Sequence, residues 1–120
     1  MSNIEDTLGG LMGIEGALGS AIVDYQSGML LGSKGGGVDL ELAAAGNSEV
    51  VKAKMKTMKS LGLSGGIEDI LITLDGQLHI IRPSASNDGL FIYLVLDKQN
   101  SNLALARRKT TDLEKSLERV

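Results

Sequence analysis

Cysteine is absent from this 120-residue chain, which excludes disulfides, thiolate nucleophiles and Cys-based metal sites and agrees with a reducing compartment. Aromatic side chains are almost as scarce. One Phe, two Tyr and no Trp leave the core to Leu, Ile, Val, Ala and Met, a composition suited to packing rather than to stacking on bases or flat cofactors. Neither sign of charge dominates, since 15 acidic residues face 12 basic ones for a net of −3. That balance offers no broad electrostatic footprint for nucleic acid or an anionic membrane. No apolar run approaches the roughly 20 residues of a membrane span, and the N-terminus, MSNIEDTLGGLMG, carries acids and no basic leader-type region. The expectation is a cytoplasmic, uncleaved single domain, long enough to bury a real core, with one proline and 16 glycines as its punctuation.

What is present is organised around residues 67–97. Ile67 to Leu74 and Gln77 to Arg82 read as strands flanking Asp75-Gly76, a dipeptide that predicts a two-residue hairpin with positive φ at both positions. Leu90 to Leu96 (LFIYLVL) is apolar on both alternating faces, so this strand needs a cover above and below it. Upstream, Asn3 to Met12 is a short amphipathic helix with Ser2 or Asn3 as N-cap. Strands at 17–24 and 29–32 flank the turn Gln26-Ser27-Gly28, and the first has an unusually small face of Ala17, Gly19, Ala21 and Val23. Gly32-Ser33-Lys34-Gly35-Gly36-Gly37 lacks the Gly-Lys-Ser/Thr order of a phosphate loop and is predicted to be a mobile connector. Residues 39–61 form a long helix capped by Asp39, with a weak point at Gly46-Asn47-Ser48. Its second half carries Lys52, Lys54, Lys56 and Lys59. On the residues alone this is first a solvated face and second a docking surface for an acidic partner. The segment 83–89 reads as an exposed polar loop, and residues 102–118 as a terminal amphipathic helix.

The chain presents no constellation that specifies a reaction. His79, the single histidine, sits mid-strand without partners at metal-ligand or catalytic spacing, and a satisfied or half-exposed strand histidine is the better reading. Glu68 and Asp69 are adjacent in a strand and so point to opposite faces. Asp24, Asp75, Asp88 and Asp97 stand at turns or strand ends, where local hydrogen bonding accounts for them.

The order helix, strand, strand, helix, strand, strand, strand, helix, with the stretches Ile14-Glu15-Gly16-Ala17-Leu18-Gly19-Ser20-Ala21-Ile22-Val23-Asp24, Glu68-Asp69-Ile70-Leu71-Ile72-Thr73-Leu74 and His79-Ile80-Ile81-Arg82-Pro83, resembles the Roadblock (dynein light-chain) family. The resemblance implies an α+β, profilin-like fold: a five-stranded antiparallel sheet of order 2-1-5-4-3 with the long helix on one face and the terminal helices on the other. It also implies a homodimer joined through the long helix and third strand, which maps to Ala44, Val51, Met55, Met58, Ile70, Ile72 and Leu74. The family's role as regulator or platform for Ras-like small GTPases maps to Lys52, Lys56 and Lys59. The implied protein is not an enzyme and needs no cofactor or metal; its partners are its own copy and a GTPase, without nucleic acid or membrane insertion. A GTPase-independent trafficking or assembly adaptor would share the fold, and a PAS-like small-ligand sensor would share the strand order.

Overall fold

Each helix begins where a short polar side chain takes up an orphan backbone N–H. In the computed structural model, which describes residues 3–120, Asn3 Oδ1 accepts from Asp6 N at 2.8 Å and opens α1 (Ile4–Met12). Asp39 Oδ1 accepts from Leu42 N at 3.1 Å and opens α2 (Leu40–Ser60). Asn102 Oδ1 accepts from Leu105 N at 3.0 Å and opens α3 (Leu103–Ser116). The alternative cap, Ser2, lies outside the described residues. Between the helices run β1 (Ala17–Asp24), β2 (Met29–Gly35), β3 (Ile70–Thr73), β4 (Gln77–Pro83) and β5 (Leu90–Asp97). All neighbouring strands are antiparallel, in the order β2-β1-β5-β4-β3.

The doubly apolar strand lies at the centre, as its pattern requires. Leu90, Ile92, Leu94 and Leu96 of β5 pack with Ile22, Leu78 and Ile80 under α1 and α3, where Leu8, Leu11, Ala106 and Leu117 meet them. Phe91, Tyr93 and Val95 face the other way and pack with Ala21, Val23 and Ile81 under Ala44 and Val51 of α2. The small face of β1 has a specific use. A Cβ at Gly19 would come within 2.1 Å of Gly36 O, so only glycine lets the end of β2 close onto β1.

That closure overturns the reading of residues 32–37 as a mobile connector. β2 continues to Gly35, with Ser20 opposite Lys34 and Gly19 opposite Gly35, and Gly36 N donates to Leu18 O at 2.8 Å. The third strand departs in the opposite sense, covering only Ile70–Thr73 rather than 67–74. Glu68 and Asp69 are drawn off the ladder instead: Arg107 donates to Asp69 through Nε at 2.8 Å and through its terminal nitrogen at 3.0 Å, and Arg82 donates to Glu68 O at 3.2 Å. The Asp75-Gly76 hairpin exists, closed by Leu74 N to Gln77 O at 2.9 Å, yet neither central residue has positive φ. Gly76 O accepts from Lys98 N at 3.1 Å, so the end of β5 holds this turn. α2 is one continuous helix through Gly46-Asn47-Ser48.

The polar loop after β4 is also less exposed than its composition suggests. Asn87 is buried; its amide donates to Glu118 O at 3.2 Å, and its carbonyl accepts from Val120 N at 2.7 Å. Glu114, one of the acids of the terminal helix, is 2 % exposed at its side chain and pairs with Arg82 at 3.0 Å. No helix among the described residues is long and apolar enough to cross a membrane.

Candidate interaction surface

α2 lies over β1 and β2 and leaves the neighbouring part of the sheet less covered. Its buried line, Ala44, Ser48 and Val51, faces the chain's own core. Met55, Ile70 and Ile72 are half-buried against that core, and Met58 is also half-buried. Of the residues mapped to a dimer contact, Ala44 and Val51 are fully enclosed within the chain and present nothing outward. Leu74 follows β3 and is 44 % exposed.

Two outward flanks of α2 remain. With 3.6 residues per turn, Lys52, Lys56 and Lys59 fall roughly 60–120° round the helix from Ala44. They therefore flank the buried line rather than oppose it. All three are exposed, and Lys52 pairs with Glu49 at 3.1 Å on the surface. Asp39, Ala43, Gly46, Asn47, Val50 and Lys54 fall roughly 200–300° round, on the other flank. Sequence reading missed this second flank, because one apolar stripe was enough to explain the helix. The available signal was Gly46 itself: a mid-helix glycine costs about 1 kcal/mol relative to alanine, and a Cβ there meets nothing within 4 Å. Nothing in the chain's own packing requires it.

Beside this flank opens a groove of about 270 Å³ lined by Val38, Leu42, Ala43, Asn47, His79 and Tyr93. A chain of polar side chains forms its floor. Gln77 Nε2 donates to Gly37 O at 3.1 Å, which turns Gln77 Oε1 toward His79 Nε2 at 2.8 Å. An amide oxygen only accepts, so His79 carries its proton on Nε2 and its Nδ1 accepts from the Tyr93 hydroxyl at 3.0 Å. Asn47 of α2 lines the same groove as Tyr93. Burial lowers the pKa of His79. Burial raises that of Tyr93, with the neighbouring Asn47 side chain working against it. His79 is thus a satisfied, half-buried strand histidine, as its setting predicts, tied to Gln77 on β4 and to Tyr93 on β5.

At the C-terminal end of α2, Met55, Met58, Leu63 and Ile67 line an open cleft of about 440 Å³. Leu61 and Leu63 stand 65 % and 58 % exposed. No cluster of three or more His, Asp or Glu side chains with metal-holding geometry occurs among the described residues.

A five-stranded antiparallel sheet of this order, with one long helix on one face and two helices on the other, is the profilin-like arrangement. Among solved structures it is similar to a Roadblock/LC7 domain from Streptomyces avermitilis, with a TM-score of 0.80 at 16% identity, covering 96% of this chain and 94% of that one. It is similar to Myxococcus xanthus MglB, with a TM-score of 0.81 at 18% identity, covering 93% and 89%. It also resembles the gliding protein MglB from Thermus thermophilus, with a TM-score of 0.71 at 14% identity, covering 93% and 88%. Neither a protein-family model nor a curated protein sequence matches the chain. The chain has the Roadblock/LC7 fold.

Proposed function

We propose that this protein is a non-enzymatic regulator or assembly platform for a Ras-like small GTPase, working as a homodimer through protein–protein contact in the cytoplasm. The observation that carries the reading is that α2 has two outward flanks of different chemistry, one of exposed lysines and one of small residues only partly taken up by its own core. The small-residue flank suits a second copy. On this flank α2 carries Asp39 at its start and Lys54 in its second half, so an antiparallel pair of helices sets opposite charges against each other. With the axis between Gly46 and Asn47, Asp39 faces the partner's Lys54 and Ala43 the partner's Val50, while Gly46 lets the backbones approach closely. The outer edge of β3 is free of any strand of its own chain, and Ile70, Ile72, Met55 and Met58 lie toward the same side. Pairing would cover that edge.

The lysine flank then stays open on each copy. Lys52, Lys56 and Lys59 offer a rim of positive charge that steers encounter with an acidic surface. Any effect on nucleotide hydrolysis or exchange arises from positioning the partner's own groups, because this chain carries no phosphate-loop motif. A PAS-like sensor is disfavoured on a specific ground. The layers where such a protein holds its ligand are filled here by Ile22, Ile92 and Leu94 on one side and Phe91 and Tyr93 on the other, all at most 1 % exposed. The test is binding kinetics against Ras-like GTPases loaded with GTP or GDP. Nucleotide-sensitive binding is expected. Binding that ignores the nucleotide would instead fit a constitutive adaptor, and no binding to any such GTPase would overturn the proposal.

A further inference from the structure

We propose that the lysine flank of α2 receives an acidic amphipathic helix of a partner protein, whose apolar side chains enter the cleft at the C-terminal end of α2. The inference rests on the reading of that flank as a docking surface and adds what the partner must present there. Met55, Met58, Leu63 and Ile67 form the walls of the cleft, and of its lining residues only Lys59 is charged. Leu63 is 58 % exposed and the neighbouring Leu61 65 %, so the chain's own core leaves apolar surface in water here. Thioether side chains adapt to irregular apolar partners. A concave volume of about 440 Å³ suits side chains inserted from a helix better than a flat surface laid across it.

The rim sets the sign of the partner. Lys59 stands on it, and Lys56 and Lys52 continue it one and two turns back along α2, all three exposed. Their spacing of three and four residues is that of one helix face, so a second helix laid along it can set a carboxylate against each lysine. Lys52 is shared with Glu49, which leaves most of the attraction to Lys56 and Lys59. The negative end of the α2 dipole opposes it little, because Thr57 O, Met58 O and Lys59 O already accept from the N–H groups of Leu61, Leu63 and Gly62. On the sheet side the exposed Glu68 follows Ile67 and marks the far limit of the acidic contact. Other grooves favour neither sign. Lys109 and Asp112 share the one between α1 and α3, and Glu5, Glu118 and Arg119 share the one between the start of α1 and residues 118–120. Gly66 adds an independent observation: it lines the cleft, its φ lies outside the left-handed region, and a Cβ there meets nothing within 4 Å. Neither backbone conformation nor internal packing requires a glycine at the mouth of the cleft. The proposed pairing of two copies also leaves the cleft open. With the axis between Gly46 and Asn47, the partner's Leu40 lies opposite Ala53, so the turns of α2 from Lys54 onward extend past the end of the opposing helix.

The probe is a set of short synthetic peptides with Leu and Glu at helical spacing, titrated into the full chain labelled at its methionine methyl carbons. Met55 and Met58 report the cleft, while Met12 on α1 and Met29 on β2 serve as references. Saturable shifts confined to Met55 and Met58 are expected. Peptides with Lys in place of Glu should bind about tenfold more weakly, and high salt should narrow that gap. Gly66→Trp, which fills the mouth from a position with open space around it, should abolish peptide binding at an unchanged melting temperature. No shift at Met55 and Met58, equal affinity for both peptide sets, or full binding by Gly66→Trp would each overturn the inference, and the first two readouts need no variant to fold. Resonances of Met55 and Met58 that move with protein concentration alone and then ignore the peptide would assign the cleft to a second copy and overturn it as well. Peptide binding at the cleft without binding to any Ras-like GTPase would leave this inference standing while the function proposed above falls. GTPase binding that leaves Met55 and Met58 unmoved would overturn the cleft alone.

Discussion

At the scale of single residues, the least replaceable polar contact is the ion pair between Arg82 and Glu114, whose side chains are 12 % and 2 % exposed. Ser84 Oγ and Ala85 N also approach the second Glu114 oxygen, both at 3.4 Å, so the carboxylate is held at the joint between α3 and the loop after β4. Removing one partner strands a buried charge. Arg82→Met should lower unfolding free energy by about 3 kcal/mol, whereas adding Glu114→Leu should recover most of the loss, as read from urea melts of the two variants. His79 gives the fold a pH dependence of definite sign. Burial lowers its native-state pKa below the ordinary 6.5, so the unfolded chain binds the proton more readily. The associated stability is complete above about pH 6.5 and declines as pH falls through the depressed native value. Comparing denaturation midpoints of wild type and His79→Gln at pH 7.5 and pH 5.5 should show the larger acid loss in the wild type.

At the scale of elements, α2 and β3 make opposite demands on substitution. Alanine is a better helix former than glycine by about 1 kcal/mol, and a Cβ at position 46 meets nothing within 4 Å. Gly46→Ala should therefore raise thermal stability measured on dilute, monomeric protein. The same methyl should weaken self-association, because it holds the two helix backbones apart. A variant stabilised in both respects would remove the seam from this flank. Ile72, half-buried beside Ile81 and His79 on β3, should tolerate lysine poorly, with loss of solubility or association. Lys34→Ala is the contrast. Lys34 is part of β2, yet its bridge to Glu5 spans 3.5 Å between side chains 40 % and 71 % exposed, and such surface pairs contribute little. Its replacement should leave the melting temperature nearly unchanged.

At the scale of the whole molecule, one face of α2 serves the core, and we propose that one flank meets a second copy and the other a further partner. The dimer should persist at tens of micromolar, a range in which stable homodimers are populated, and sedimentation equilibrium measures it. Changing Lys52, Lys56 and Lys59 together to glutamate should slow association with the cognate GTPase and reverse the response of the on-rate to salt, since rim charges act mainly on encounter. Sedimentation of the same variant should show an unchanged dimer, because these lysines lie on the other flank. An unaltered on-rate at low salt would shift attention to Arg108 and Lys109 on α3, both exposed.

The placement of β5 at the centre, the alternation of its faces, the caps at Asn3 and Asp39 and the strand order were all legible in the residues, the last through family resemblance. These are local or pattern-level properties: a strand apolar on both sides must be covered on both sides, and a short polar side chain before an apolar run caps a helix wherever it occurs. Other features depend on partners distant in sequence. Gly32 to Gly35 became a strand because Gly19, on another element, leaves room for it. Glu68 and Asp69 left β3 because Arg82 and Arg107 reach them across the sheet edge, and Glu114 went inside because Arg82 awaited it there. The link from His79 to Tyr93 joins side chains on neighbouring strands, and no spacing rule foretells it. Periodicity records which side of an element is apolar; which polar groups meet is decided only when the elements pack.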